Sequence, residues 1–174
     1  AGSGARALGI VMHRYFQILA EEGKEHWTKE KIKKLENIIP AALKSQGLSP
    51  QMVREESKKG KIMLKNILSH HAGRWILESH KDARCEYSLT HTKNNIYQSR
   101  TIDRTFIDEN NIRWIIDYKT GEHLGGDLEL FFKNEKDRYR NQLNLYGMIF
   151  KQFGEERPIK KALYYPMHKE LLVL

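Results

Sequence analysis

Apolar residues recur every three or four positions through roughly the first 80 residues, which is the period of an amphipathic helix. The spacing predicts one helix over about 6–22 that ends at Gly23, one capped by Thr28, and one that begins at Ser49-Pro50. Pro40 is expected to kink or divide the second of these helices. A shorter helix is predicted over about 74–77.

Beyond about residue 83 the pattern changes to that of strands. Strands are predicted over 85–90, 96–107, 112–118, 159–165 and 171–173. Asn-rich turns at 93–95 and 109–111 separate the first three strands, and a long helix over about 135–153 precedes the fourth. A loop is marked by Gly121, Gly125 and Gly126. This order predicts an α/β domain with a mixed sheet flanked by helices, preceded by a helical lobe over about 24–80.

The charge balance favours a polyanionic partner. The chain of 174 residues carries 30 Lys and Arg against 22 Asp and Glu, a net charge of +8. Such a surplus suits nucleic acid, although inert soluble proteins also carry basic surfaces. The single cysteine, Cys85, excludes an internal disulfide and indicates a reducing, cytoplasmic environment. No apolar run is long enough to span a membrane. The chain stops inside the apolar run 171–174, which predicts a fragment of a longer protein.

Two carboxylates fall on neighbouring predicted strands. Asp103 and Asp117 are each seven residues from Asn110, so a hairpin through 109–111 places them opposite each other on one sheet face. Like charges at facing positions destabilise a sheet unless a cation lies between them, and oxygen ligands suit Mg²⁺ or Mn²⁺. The alternative is that each carboxylate forms an ordinary ion pair on a solvated face.

Further polar residues could serve the same site. Lys119 lies two positions after Asp117 and would share its face if the strand continued. Gln142 and Tyr146 are one helical turn apart, with Arg138 one turn earlier on the same stripe. Taken singly, each has a structural alternative: a core aromatic for Tyr146 and a solvated charge for Arg138.

Two residues nearer the N-terminus could have either a structural role or a role in the site. His13 lies among apolar residues of the first helix, and Gly9 one turn before it leaves room for another group to approach. A lone helical histidine is more often a satisfied core residue than a ligand. Glu86 in the first strand is either a solvated charge or an active-site acid.

Five stretches in this order resemble the RecB-like branch of the PD-(D/E)XK nuclease superfamily, in particular the C-terminal nuclease domains of UvrD-type helicase-nucleases similar to the exodeoxyribonuclease V beta chain. They are Arg6-Ala7-Leu8-Gly9 leading to His13, Ile102-Asp103-Arg104, Arg113-Trp114-Ile115-Ile116-Asp117-Tyr118-Lys119-Thr120, Tyr139-Arg140-Asn141-Gln142-Leu143 leading to Tyr146, and Ala162-Leu163-Tyr164-Tyr165-Pro166. One departure is Ser99-Arg100-Thr101, where the family often has a glycine shortly before the Asp103 position.

The resemblance implies a restriction-endonuclease-like core and a role for each matching residue. His13, Asp103, Asp117 and the backbone carbonyl of Tyr118 would hold Mg²⁺, with Mn²⁺ as the alternative metal. Lys119 would be the catalytic lysine. Gln142 and Tyr146 would lie near the scissile phosphate, and Glu86 matches a less constant acidic position. Basic residues would hold the DNA backbone, namely Arg104, Arg138 and Arg140. The iron–sulfur cluster of some relatives is excluded, because it needs four cysteines.

The resemblance also implies an activity: metal-dependent, exonucleolytic processing of DNA ends in recombination and repair. Residues 1–174 would then form a single nuclease domain, with the catalytic sheet and helix over about 83–174. The partners would be single-stranded DNA or a duplex end, the helicase domain of the same parent chain and other helicase-nuclease subunits. Two alternatives stay open. One is a non-catalytic DNA-binding or regulatory module that retains the fold, and the other is a nuclease nearly inactive without its helicase.

Overall fold

A computed structural model describes residues 2–174. Its helices overlap the segments that the helical period predicts. They are α1 (Ser3–Glu22), α2 (Lys29–Ser45), α3 (Pro50–Ser69), α4 (His71–Leu77) and α5 (Leu128–Gln152), with a 3-10 turn at Lys24–His26 after α1. Thr28 and Ser49 cap α2 and α3 as predicted, since their hydroxyls accept hydrogen bonds from the backbone N–H groups of Lys31 and Met52.

Two helices differ from the prediction. Pro40 does not divide α2, which runs unbroken from Lys29 to Ser45. The buried apolar residues Leu35, Ile39 and Leu43 lie on both sides of the proline, so packing maintains the helix although one backbone donor is missing. α5 begins two turns before the predicted residue 135. The Asp127 side chain accepts a hydrogen bond from Leu130 N and caps the helix there.

The strands are β1 (Lys81–Lys93), β2 (Ile96–Ile107), β3 (Arg113–Tyr118), β4 (Ile159–Tyr165) and β5 (Glu170–Val173). They form one mixed sheet in the order β1-β2-β3-β4-β5. β1, β2 and β3 are a meander of antiparallel hairpins, and α5 connects β3 to its neighbour β4. The predicted α/β class, mixed sheet and N-terminal helical region are confirmed, and they are consistent with a restriction-endonuclease-like core.

The chain divides into two compact units. The helical unit contains the residues up to Ser79, together with the segments Tyr118–Glu122 and Tyr165–Glu170. The sheet unit contains His80–Asp117, His123–Tyr164 and Leu171–Leu174. Asp117 is therefore the last residue of a sheet-unit segment, and Tyr118 is the first residue of a helical-unit segment.

Each unit has its own apolar core. In the helical unit, α1, α2 and α3 contribute the fully buried side chains Leu8, Met12, Phe16, Ile39, Leu43, Met63 and Leu64. In the sheet unit the fully buried residues include Phe106, Ile115, Ile116, Leu163 and Tyr164. β3 is buried at five of its six positions, as its almost continuous apolar run predicts for an inner strand. Within residues 2–174, no helix has the length and apolarity needed to cross a membrane.

Candidate active site

The β2–β3 hairpin carries two carboxylates at facing positions. Its antiparallel pairs run from Ile107 opposite Arg113 to Arg104 opposite Ile116. The next position in the same register pairs Asp103 with Asp117, the arrangement predicted from the turn at 109–111. Both residues are half-buried. Facing residues of an antiparallel pair project from the same sheet face with their Cβ atoms about 5 Å apart, so the two negative charges share one small volume.

Asp108 fixes the turn that sets this register. Its side chain accepts hydrogen bonds from the backbone N–H groups of Asn110 and Ile112 at 2.9 Å and from Trp114 Nε1 at 2.7 Å. Burial opposes the charged form, but these donors overcome it and hold the pKa of the Asp108 carboxyl below its usual range. Sequence reasoning did not identify Asp108, although an Asp two residues before Asn-Asn is a recognisable turn signal.

Glu86 of β1 is the residue that faces Asp103 across the β1–β2 pair. The β1–β2 register pairs Cys85 with Arg104 and Tyr87 with Ile102, which leaves Glu86 at the position of Asp103. Glu86 is exposed and has a φ of 47°, in the left-handed region that residues other than glycine adopt rarely. Such backbone conformations are concentrated at functional sites, where surrounding structure maintains them. The three acidic candidates are thus aligned across β1, β2 and β3.

The chemistry of this donor set fits Mg²⁺. Among residues 2–174 no group of three or more His, Cys, Asp or Glu side chains is arranged to hold a metal ion by itself. Mg²⁺ does not need such a cage, because it usually retains several waters and binds through one or two carboxylates plus the phosphates of a substrate. The facing pair of Asp103 and Asp117 supplies oxygen ligands of that kind.

The segment that follows Asp117 is held by α1 within the helical unit. The buried ring of Tyr118 makes edge contacts with Phe16 and His13, at centroid distances of 4.9 and 5.8 Å. A Cβ atom at Gly9 would lie 3.2 Å from Thr120 Oγ1. The predicted close approach at Gly9 is therefore confirmed, and the approaching group is the hydroxyl of Thr120. α1 brings His13 against the residue next to Asp117 in the chain.

A hydrogen bond sets the tautomer of His13. Its Nδ1 lies 2.8 Å from the carbonyl oxygen of Gly9. A carbonyl can only accept, so Nδ1 carries the proton in the neutral ring and the lone pair lies on Nε2. Metal-binding histidines commonly use the same arrangement, with one ring N–H donated to a backbone carbonyl.

Lys119 is half-buried and follows the end of β3 at Tyr118. Because the strand stops one residue earlier, strand alternation does not determine the direction of the Lys119 side chain, and its place beside Asp117 stays a prediction.

A second lysine pairs with the same segment. Nζ of Lys59, on α3, lies 3.3 Å from Oε1 of Glu122 and 3.4 Å from Oε1 of Glu56. Burial lowers the pKa of Lys59, but the two carboxylates outweigh it and the net change is upward.

α5 presents the predicted polar stripe in the sheet unit. Gln142 Nε2 donates a hydrogen bond to the hydroxyl of Tyr146 at 2.8 Å, so the two residues share a face as expected. Tyr146 is buried, whereas Gln142 is exposed. Arg138 and Arg140 have side chains that are 70% and 46% exposed, each 3.8 Å from an acidic residue one turn earlier. Their cationic groups are accessible to a phosphate.

Arg104 differs from the predicted DNA contact. It is 2% exposed, its Nη1 donates to Cys85 Sγ at 3.3 Å, and its guanidinium lies 5.5 Å from the centre of the Phe106 ring. Strand alternation explains this position, since Arg104 projects from the face opposite to Asp103. The structure therefore does not support a contact between Arg104 and the DNA backbone.

A buried ion cluster at the far end of β3 was not predicted. Arg113 pairs with Asp82 through Nη2 and with Glu155 through Nε at 2.9 Å, and its guanidinium lies 5.1 Å from the Phe150 ring centre. The hydrogen bond from Arg113 lowers the pKa of Asp82. Burial opposes ionisation of Glu155, but Arg113 and Arg157 still hold its pKa below the usual range. The cluster joins β1, β3 and the segment after α5, so its role is structural.

Comparison with known families agrees with this geometry. The family model of the PD-(D/E)XK nuclease superfamily matches residues 2–172, nearly the whole chain. The chain therefore belongs to the PD-(D/E)XK nuclease superfamily, a family of hydrolases that cleave phosphodiester bonds of nucleic acids and generally use divalent metal ions. A search of curated proteins finds no match.

Proposed function

We propose that the chain is a Mg²⁺-dependent deoxyribonuclease of the RecB-like branch, acting on DNA ends in recombination and repair as part of a helicase-nuclease. The observation that carries the proposal is the register of the β2–β3 hairpin, which puts Asp103 opposite Asp117. Membership of the nuclease superfamily supplies the reaction class. The ordered motif blocks from Arg6 to Pro166 support the branch.

In this proposal Asp103 and Asp117 hold the metal, and the resemblance to RecB-like nucleases adds Nε2 of His13 and the carbonyl of Tyr118 as further expected ligands. The tautomer of His13 suits that role, because its Nδ1 proton is engaged by Gly9. When bound, Mg²⁺ supplies Lewis acidity toward the scissile phosphate and lowers the pKa of a bound water. Glu86, at the register position opposite Asp103, is the acidic residue nearest along the sheet to the pair.

The remaining residues position the substrate and stabilise charge. Lys119 orients the attacking water and donates to a phosphate oxygen as negative charge develops there. Gln142 uses one amide N–H on Tyr146, which leaves its other N–H and its carbonyl oxygen for the substrate. The exposed cations Arg138 and Arg140 hold the sugar–phosphate backbone.

The test is a cleavage assay on one purified preparation with matched DNA substrates. Linear and covalently closed circular forms of the same DNA are incubated with Mg²⁺, Mn²⁺ or EDTA. We expect degradation of linear DNA with either metal, none with EDTA, and intact closed circles, because an exonuclease requires an end. Cleavage of closed circles contradicts exonucleolytic action. Tight DNA binding without cleavage, both in this chain and in the helicase-nuclease that the proposal implies, favours the non-catalytic module instead.

A further inference from the structure

The β1–β2 hairpin extends well beyond the carboxylates. Its ladder runs without a register shift from Arg84 opposite Thr105 to Lys93 opposite Ile96. β3 pairs with β2 only as far as the Asp103 region. The hairpin beyond that point, residues 88–101, is named the arm. Its turn, Asn94-Asn95, has both residues in the left-handed region (φ 51° and 61°). Such tight turns match the twist of paired strands, so the arm is a regular two-stranded ribbon.

One face of the arm carries only hydroxyl side chains. Side chains alternate along a strand, so the positions on the face of Asp103 are every second residue outward from it. Every such position bears a hydroxyl and is exposed: Ser88, Thr90 and Thr92 on β1, and Tyr97, Ser99 and Thr101 on β2. In the β1–β2 register they form three facing pairs in line with Asp103.

The opposite face of the arm is directed toward protein at its base. Leu89 is 3% exposed and Ile102 is 1% exposed. Tyr87 at the base of the arm contacts Phe150 of α5, with ring centroids 6.1 Å apart. At the base of the arm, the hydroxyl face is thus the side of the ribbon that is left for a ligand.

The charge of the arm indicates what that ligand is. The stretch 87–102 contains Lys93 and Arg100 and no Asp or Glu. Both basic residues are exposed. Ser, Thr and Tyr hydroxyls together with Lys and Arg are the side chains that contact phosphate and sugar oxygens in nucleic-acid complexes. By strand alternation Lys93 and Arg100 project from the face opposite the hydroxyls. Their charge attracts a polyanion to the arm, and the hydroxyls supply the neutral donors that contact its oxygens.

The tip of the arm adds an aromatic platform. Tyr97 is 81% exposed, among the most exposed large apolar residues of the described chain, and its neighbour Ile96 is 63% exposed. An exposed aromatic ring is suited to stacking on an unpaired base, which duplex DNA does not present.

We propose that the arm binds single-stranded DNA: its hydroxyl face contacts the backbone leading from Asp103, and Tyr97 stacks on a base at the tip. This inference rests on the proposed nuclease function for the position of the scissile phosphate. Six residues of strand separate Asp103 from Tyr97, or about 20 Å. That length corresponds to roughly six nucleotides at the 3.4 Å spacing of a stacked strand.

The experiment measures binding of the metal-free Asp117→Asn protein to a fluorescent single-stranded oligonucleotide, so that cleavage plays no part. Tyr97→Ala is compared with Tyr97→Phe, which keeps the ring. A triple variant, Thr90→Val, Ser99→Ala and Thr101→Val, removes three hydroxyls while preserving strand-forming shapes. We expect at least about fivefold weaker binding for Tyr97→Ala and for the triple variant, and little change for Tyr97→Phe. Circular dichroism checks that each variant is folded.

A second readout locates the contact. 2-Aminopurine is placed singly at successive positions from the end of the oligonucleotide, and its quenching reports stacking on an aromatic ring. We expect a maximum within about six nucleotides of the end that disappears in Tyr97→Ala. Unchanged binding and quenching in Tyr97→Ala and the triple variant overturn the arm proposal, even if the parent protein cleaves DNA. Arm-dependent binding supports the arm even if DNA is cleaved neither by this chain nor by the helicase-nuclease that the proposal implies, and that lack of cleavage contradicts the nuclease function.

Discussion

At the scale of single residues, the candidate site depends on the facing positions of Asp103 and Asp117. Two carboxylates at facing positions of a half-buried hairpin destabilise the folded chain when no cation is present. The surrounding structure tolerates this cost because the Asp108 turn and the buried residues of β3 fix the register. Two facing carboxylates are the kind of oxygen donor pair that binds Mg²⁺.

Removing one of these charges should keep or raise the melting temperature without metal and should abolish the rise in melting temperature on addition of Mg²⁺. We predict that Asp117→Asn unfolds at the same temperature as the parent protein or higher in EDTA, because the repulsion is relieved. Addition of Mg²⁺ should raise the melting temperature of the parent and not that of the variant, since only the parent binds the ion. Thermal unfolding followed by circular dichroism measures both. A variant that melts well below the parent in EDTA contradicts this reading of the pair.

The bond between Gln142 and Tyr146 gives a second residue-scale prediction. Tyr146→Phe removes the oxygen that accepts from Gln142 while keeping the buried ring, so the amide loses its fixed orientation. We expect about a fivefold fall in the rate of DNA cleavage and a loss of about 1 kcal/mol in the free energy of unfolding. Tyr139→Phe on the same helix is the control. Equal cleavage by the parent and Tyr146→Phe contradicts the positioning role of Gln142.

At the scale of elements, hydrophobic period and turn residues predicted most of this fold. β2 and β4 have the predicted bounds, because branched and aromatic residues fill them and Asn or Pro residues bound them. The opposition of Asp103 and Asp117 followed from counting outward from Asn110. The early start of α5 was missed, since its first two turns depend on the Asp127 cap and on rings that stack in three dimensions, such as His123 on Phe131 at 4.6 Å.

Long-range polar partners were also beyond sequence reasoning. The residues next to Arg104 in the sequence do not show whether its side chain reaches solvent or Cys85. Only the pairing of β1 with β2 shows that it reaches Cys85. Arg113 and Glu155 are 42 residues apart in the chain, and nothing local signals that they will meet.

The turn at 108–112 should be the element on which the register depends. Asp108→Ala removes the acceptor of three hydrogen bonds and leaves the donors of Ile112 and Trp114 in a largely buried site. We predict a loss of about 2–4 kcal/mol in the free energy of unfolding, together with weaker DNA cleavage. Glu109→Ala, at the adjacent exposed position, should change the stability by less than about 0.5 kcal/mol. Urea unfolding compares the two. Similar stabilities contradict the role assigned to Asp108.

The Arg113 cluster makes the stability of the sheet unit depend on pH. The folded-state pKa values of Asp82 and Glu155 lie below their ordinary values, so their contribution is present at neutral pH. The stabilisation from these two carboxylates is lost as the pH falls below about 4 and through their lowered pKa values. Protonation of Asp82 and Glu155 breaks their pairs with Arg113. Urea unfolding between pH 7 and 3 should show this loss, and Glu155→Gln should flatten the profile. Parallel profiles for the two proteins contradict it.

At the scale of the whole molecule, the net charge of +8 predicts DNA binding that weakens with salt. Each phosphate contact on a single strand contributes about 0.7 to the slope of the logarithm of affinity against the logarithm of salt concentration. We expect Arg138→Ala and Arg140→Ala each to lower that slope by about one contact, whereas Lys33→Ala on α2 leaves it unchanged. If the parent and all three variants show the same slope, the DNA does not contact Arg138 or Arg140.

The central claim is that the Asp103–Asp117 pair, with Lys119, is a hydrolytic centre for DNA. The rate of cleavage of one linear DNA in Mg²⁺ tests it most directly, with the parent, Asp117→Asn, Lys119→Ala and Glu156→Gln compared at equal concentration. Glu156→Gln removes a carboxylate from an exposed loop position and serves as the charge-matched control. We predict that Asp117→Asn and Lys119→Ala lose at least about 100-fold in rate while Glu156→Gln cleaves like the parent. Undiminished cleavage by Asp117→Asn or Lys119→Ala would contradict the account.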